Sequence, residues 1–349
     1  MADREDERKS MGAAAQISPN ERVAEFRRVF ARAEAEVSKI IVGHQDVIRK
    51  LLTALFSGGH VLVEGVPGLG KTLMCKTASD ALGLSFKRIQ FTPDLMPSDI
   101  VGTQVLAESD GRREFHFKAG PIFAHVVLGD EINRATPKTQ SAVLEAMEER
   151  QVTVFGTTYR LDPPFMVLAT QNPIELEGTY PLPEAQMDRF LFKVVMGPPK
   201  PEELREILNR TTGTNAGVAQ SIFPPAQAPA AIEQLKALVR EVMVAEPVER
   251  YVIGMIGACT PNGPGSIPEV SQYLRFGPSP RGAQALMLGA KVNALLDGRV
   301  SVSFEDVTDT MIPALRHRLL RNFQAEAENV STDSILEQAM KRLKRPARS

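Results

Sequence analysis

One stretch of this 349-residue chain limits its fold more than any other: Gly65-Val66-Pro67-Gly68-Leu69-Gly70-Lys71-Thr72. It fits the pattern GxxxxGK[ST]. The apolar run His60 to Glu64 before it reads as a strand, and the segment from Lys71 through Leu73 to Leu82 reads as a helix. A glycine-rich turn between a buried strand and a helix is a phosphate cradle. The glycines let backbone N–H groups close around an anion, and the helix start turns its positive end toward the same point. Lys71 is placed for the β- and γ-phosphates of ATP and Thr72 for a Mg²⁺ ligand. A chance match is the competing reading, and the flanking strand and helix argue against it.

The surrounding chain alternates in the same way. Phe86 to Phe91, His125 to Asp130, Phe165 to Thr170 and Phe190 to Met196 are short apolar runs. With residues 44–57 and 137–150 reading as helices, they predict an α/β domain with a mainly parallel sheet flanked by helices. Two segments break the rhythm and read as hairpin inserts. One runs from Val101 to Phe117 around Asp110-Gly111, the other from Val152 to Leu161 around Phe155-Gly156. Ser18-Pro19-Asn20-Glu21 carries a capping box and opens an earlier helix. Beyond Gly197-Pro198-Pro199-Lys200-Pro201 the pattern turns helical, with helices expected near 202–209, 231–244, 248–258, 281–297, 304–319 and 332–344. Loop-rich breaks are expected from Thr211 to Ala230 and from Thr260 to about Pro280. Three regions follow: a mobile tail over 1–19, a nucleotide-binding core over 20–198, and an all-α lid over 199–349.

Composition narrows the partners. With 41 basic and 42 acidic residues the net charge is −1, which disfavours nucleic acid as the main ligand. The two cysteines, Cys75 and Cys259, suffice for neither a disulfide framework nor a four-thiolate metal site. No apolar run is long enough to span a membrane, and Met1 to Lys9 is mostly charged, so a cytoplasmic location is the expectation.

Chemistry needs more than a cradle. Asp130-Glu131 ends an apolar strand, so both carboxylates reach the edge of the sheet where open α/β folds bind ligands. Asp130 is the candidate Mg²⁺ ligand beside Thr72, and Glu131 the candidate base for an attacking water. Helix capping is the alternative for this pair. Asn172 ends another strand within Thr170-Gln171-Asn172-Pro173, where its amide could hold that water, or simply form a turn before proline. Arg134, Arg189, Arg281 and, less pointedly, Arg275 are candidates for stabilising phosphoryl transfer. Pairing with a nearby carboxylate is the competing reading for each.

Several longer strings agree with one another. Val127-Leu128-Gly129-Asp130-Glu131-Ile132-Asn133-Arg134-Ala135, Ala169 to Pro173, Glu177 to Phe190 (ending Glu184-Ala185-Gln186-Met187-Asp188-Arg189-Phe190) and Ser279-Pro280-Arg281 together resemble the MoxR family of AAA+ ATPases. The likeness runs from about residue 21 to about residue 320. It implies that Lys71, Thr72 and Asp130 bind ATP and Mg²⁺, that Glu131 is the base and that Asn172 is the sensor residue. It further implies that Arg189 is an arginine finger for the adjacent subunit and Arg281 a second sensor on the lid. Val42-Gly43 and the lid would line the adenine. The inserts match those of the AAA+ branch that also holds magnesium-chelatase subunits and MCM helicases. A ring follows, commonly a hexamer, because a finger acting on a neighbour is useless to a monomer. Gly129 stands where this family usually has alanine, and Met187 where leucine is common; neither change removes a polar atom.

The family resemblance implies a chaperone-like remodeller that matures client complexes or inserts metal into them, often beside a partner with a von Willebrand factor A domain. A nucleic-acid motor of the same branch is the second reading, supported only by Arg112-Arg113 and the cations Lys341, Arg342, Lys344, Arg345 and Arg348. A nucleotide-switched scaffold with weak hydrolysis is the third. All three need the cradle. Lys71→Ala should abolish binding of a fluorescent ATP analogue while circular dichroism stays unchanged; binding at wild-type affinity would contradict the assignment of the loop.

Overall fold

The computed structural model describes residues 18–109, 112–173, 178–213 and 217–343. Most of the expected tail, the Asp110-Gly111 turn, Glu177 and the terminal cations Lys344, Arg345 and Arg348 lie outside these residues.

The chain opens with α1 (Pro19–Ser38) and α2 (Gln45–Ser57). The capping box forms as expected: Glu21 N–H donates to Ser18 Oγ, and Ser18 N–H donates to Glu21 Oε2 at 2.8 Å. Then come β1 (Val61–Glu64), α3 (Lys71–Leu82), β2 (Phe86–Gln90) and the short α4 (Pro97–Val101). The first insert is the antiparallel pair β3 (Gly102–Ser109) and β4 (Arg112–Ala119). Next are β5 (Val126–Asp130), a 3₁₀ turn at Ile132–Arg134 and α5 (Pro137–Glu149). The second insert, β6 (Gln151–Val154) and β7 (Thr157–Arg160), is also antiparallel. The core ends with β8 (Met166–Gln171), α6 (Glu184–Met187) and β9 (Phe192–Val195).

Five of these strands form one sheet in the order β2-β5-β8-β1-β9, and every pair in it is parallel. Period-two alternation divides their side chains between two cores. Val61, Val63, Val126, Leu128, Met166 and Leu168 point to one face, covered by α1, α2 and α3. Leu62, Val127, Val167 and Ala169 point to the other, covered by α5. Both faces are therefore buried, which is why these strands read as continuous apolar runs rather than alternating ones. The two hairpins stay outside the sheet and are joined to each other by stacking of Phe117 on Tyr159, with ring centroids 3.9 Å apart.

Beyond β9 the chain is helical: α7 (Pro201–Thr212), α8 (Ala228–Glu241), α9 (Glu246–Ala258) and α10 (Pro268–Tyr273). After the strand β10 (Leu274–Phe276) come α11 (Pro280–Leu296) and α12 (Phe304–Leu315). The strand β11 (Leu320–Arg321), α13 (Phe323–Ala327) and α14 (Thr332–Arg342) close the described region. The expected helical lid thus also carries a small β10–β11 ribbon, and α10 occupies the segment expected to be a loop. α12 stops at Leu315 rather than running on to 319, because His317 and Arg318 turn back toward the core. Lid residues such as Leu286 and Met311 belong to the same apolar cluster as Phe26 and Phe56, so the helices of the second half pack directly on α1 and α2. Among the described residues no helix is long and apolar enough to cross a membrane.

Two buried histidines tie these layers together. His60 Nδ1 accepts from Val167 N–H at 2.8 Å, so its Nε2 carries the proton and donates to Met147 O at 3.1 Å. His317 Nε2 faces Phe190 O at 3.0 Å and must likewise donate. Burial first, and then the guanidiniums of Arg150 and Arg318 respectively, hold both imidazoles well below their ordinary value. The folded state therefore keeps them neutral while the unfolded chain protonates them below about pH 6.5. Their contribution to stability is complete above that pH and is lost as the pH falls. His60→Gln should flatten the acid-side decline in unfolding free energy between pH 6.5 and 5, by up to about 1.4 kcal/mol per pH unit. An unchanged slope in denaturant titrations would contradict this assignment.

Candidate active site

In a sheet whose strands all run one way, the strand ends share one edge. The phosphate loop leaves β1 there, and the first residue after it, Gly65, donates its N–H to Gln171 O at the end of β8. Gly68 and Gly70 have φ of 84° and 79°, with open space where a Cβ would stand. Only glycine takes that left-handed backbone cheaply, and the open space is what a bound anion needs. Gly70 is the N-cap of α3, and no side chain caps the helix there. Lys71 is buried and donates Nζ–H to Gly65 O at 2.6 Å, so its ammonium is folded over the loop. Leu73 is half exposed beside it.

β8 lies between β1 and β5, so its end separates the loop from the two acids. Thr170 uses that position. Its hydroxyl donates to Asp130 Oδ1 at 2.6 Å and accepts the N–H of Glu131 at 2.8 Å, fixing both residues from one buried side chain. Asp130 Oδ2 is 3.5 Å from the Thr72 hydroxyl and takes two donors from Arg88, Nη2 at 2.6 Å and Nε at 3.1 Å. Glu131 adopts φ of 57°, an unusual backbone for a non-glycine residue. Its side chain does not cap the following turn. Its Oε2 instead accepts from Gln90 at 2.8 Å and from Arg134 at 2.9 Å. Asn172 follows β8 and is buried, one residue from the strand end that meets the loop. Gly129 lies against the ring of Phe91, 3.1 Å from where a Cβ would stand. The ring would have to give way slightly to admit an alanine, so the strand is closely packed there.

Near the loop lies a cleft of about 580 Å³ lined by Gly43, His44, Val47, Val195 and Pro198, together with Lys200 and Glu203 at the start of α7. Val42 precedes it and is part-buried. The cleft runs between the α1–α2 connection and the first helix beyond β9, and Gln45 and Asp46 add polar groups to the apolar wall formed by Val47, Val195 and Pro198.

Two of the candidate arginines stand apart from this edge. Arg189 donates to Leu144 O at 2.7 Å and pairs with Glu148 Oε2 at 2.8 Å, near the end of α5. Arg281, in the first turn of α11, reaches the other oxygen of the same Glu148. Leu191 N–H donates to His60 O, which places this cluster at the amino edge of the sheet. The four residues of β1 alone separate the two edges by roughly 13 Å. Arg189 and Arg281 therefore lie beyond hydrogen-bond reach of the loop on their own chain. Arg134 joins Arg88 at the acidic pair, while Arg275 is exposed on β10 and rests over the Phe276 ring.

Sequence reasoning assigned no role to Thr170, Arg88, Gln90, Glu148 or Arg318. Arg88 and Gln90 had a readable signal, since two polar side chains two apart near the end of a strand must share a face and an edge. Glu148 and Arg318 had none; their ion-pair partners lie 41 or more residues away.

With these features in place, known proteins show the same organisation. Residues 60–192 match the ATPase family associated with various cellular activities (AAA), and residues 269–339 match the AAA lid domain. The chain is 41% identical to Chaperone MoxR1 of Mycobacterium tuberculosis over 90% of its own length and 82% of that protein's. It is 32% identical to Protein MoxR of Methylorubrum extorquens over 85% of its length and 89% of the relative's. A crystal structure of a putative ATPase from Cytophaga hutchinsonii superposes with a TM-score of 0.83 at 38% identity, covering 93% of this chain and 97% of the other. The chain belongs to the MoxR family of AAA+ ATPases.

Proposed function

We propose that this protein binds ATP between the Gly65–Thr72 loop and the Gly43 cleft and hydrolyses it in a site completed by the next copy in a ring. The observation that carries the reading is the gathering of Lys71, Thr72, Asp130, Thr170 and Glu131 at one edge, with Arg189 and Arg281 together at the other. Val66, Pro67 and Leu69 complete the loop, whose N–H groups and Lys71 cradle the phosphates. Thr72 and Asp130 would hold Mg²⁺, which when bound supplies charge neutralisation between the phosphates. Glu131 takes the proton of the attacking water and Asn172 orients that water. Arg189 and Arg281 reach the triphosphate of the neighbouring copy, since the width of the sheet keeps them from their own. Residues 20–198 act as the nucleotide-binding core and 199–349 as the lid.

The work done with ATP is remodelling of a client protein complex, including its maturation or metal loading, with a von Willebrand factor A domain protein as a suitable adaptor. The welded hairpins support a protein client. Leu106 and Phe115 face each other across β3–β4 and are both exposed, as is Phe155 at the β6–β7 turn, offering an apolar rather than a cationic grip.

Glu131→Gln should retain ATP and lose turnover by roughly 10²–10⁴-fold. Turnover equal to wild type would remove Glu131 as the base. Arg189→Ala should still assemble and bind ATP yet hydrolyse it roughly 10³-fold more slowly; normal turnover would pass the role to Arg134. Thr170→Val keeps the shape but leaves Asp130 Oδ1 and the Glu131 N–H without their shared partner, and should lower kcat at least about tenfold with little change in ATP affinity. An unaltered kcat would show that the hydroxyl aims neither acid.

A further inference from the structure

Arg318 lies in the turn after α12, and its side chain is almost wholly buried. A guanidinium has five N–H donors, and here every one is engaged. Nε donates to Asp188 Oδ1 at 2.8 Å, Nη2 to Asp188 O at 2.9 Å and Phe190 O at 2.7 Å, and Nη1 to Leu191 O at 3.2 Å and to Ala314 O. Four of the five bonds thus fall on Asp188–Leu191, the segment that contains Arg189. His317 adds a further donor to Phe190 O. The other oxygen of Asp188 accepts from Ser279 Oγ at 2.7 Å, and Ser279 Oγ in turn accepts the N–H of Arg281 at 3.1 Å. Arg281 and Arg189 then meet again on Glu148. The contacts close a circuit: Arg318, Asp188, Ser279, Arg281, Glu148, Arg189 and back to Asp188.

A buried cation is tolerated only where its bonds are complete. This one is complete only when the lid and the Asp188–Leu191 segment hold a single relative position. We propose that Arg318 is a positioning residue that locks the lid to Asp188–Leu191, so that Arg189 and Arg281 are presented to the neighbouring subunit as one fixed pair. This rests on the reading that both arginines serve the ATP of the next copy. Its buried side chain acts through Asp188. Lysine at this position keeps the charge but not the planar five-donor fork, so it cannot bridge four carbonyls and a carboxylate together.

The reading of trans action makes the role testable by mixing chains. Arg318→Lys should bind ATP as wild type does and lower kcat, by roughly 10²-fold for a displacement of about 1 Å at the arginines, with KM little changed. Adding an excess of Glu131→Gln chains, inert in their own sites but carrying intact Arg189 and Arg281, should restore turnover in the Arg318→Lys sites. Arg189→Ala mixed with Glu131→Gln is the reference. If the Arg189→Ala mixture recovers and the Arg318→Lys mixture does not, Arg318 serves only the stability of its own chain and the proposal is overturned, while the shared-site reading stands. If neither recovers, the shared site itself is wrong and the proposal falls with it. Wild-type turnover in Arg318→Lys alone also overturns it. Should Arg318→Lys fail to fold, Ser279→Ala breaks the same circuit nearer its surface and is read by the same mixing outcomes.

Discussion

A parallel sheet has two different edges, and this asymmetry organises the molecule. All five strands deliver their carboxyl ends to one side. The loop after β1, the acids after β5 and the amide after β8 converge there without any long-range design beyond strand order. The amino ends collect what arrives by other routes: the end of α5 with Glu148, the segment before β9 with Arg189, and the start of α11 with Arg281. An edge that gathers two acids and an edge that gathers two arginines on one shared carboxylate are complementary surfaces. Repetition of that pairing around an axis is a head-to-tail contact, the kind that closes rings.

The carboxyl edge is held by hydrogen bonds that leave little freedom. Thr170 reads the position of Asp130 through its donor and that of Glu131 through its acceptor. Arg88 and Gln90, on the opposite flank, reach the same two acids. The Asp130 carboxylate is therefore clamped from a neighbouring strand on either side, and Glu131 is held by its backbone from one side and by its carboxylate from the other. A charged group in such a polar frame needs little reorganisation when charge develops nearby, which is the electrostatic basis of much enzymatic catalysis.

Much of this was legible before any coordinates. The phosphate loop, the five strands and both hairpins rest on local signals: glycine spacing, apolar runs and turn residues. Asp130 and Glu131 stood out because an acid after a buried strand has few places to go. What stayed hidden depends on strand order and on contacts distant in sequence. Nothing local states that β8 lies between β1 and β5, so Thr170 looked like one more strand residue. Nothing local tells that Arg318 meets Asp188, 130 residues earlier. The helix expected through residue 319 ended at Leu315 for the same reason: a tertiary contact outweighed helical propensity and turned the chain back onto the core. The inward turn also buried His317.

The central claim is that one chain alone holds only half of a hydrolytic site. It is tested most directly by the rate of ATP hydrolysis per chain across a dilution series, with sedimentation followed in parallel at saturating ATP. The account requires the rate per chain to rise with protein concentration and to track the assembled fraction, approaching zero for the isolated subunit. A rate per chain that stays constant down to concentrations where only monomer sediments would contradict it.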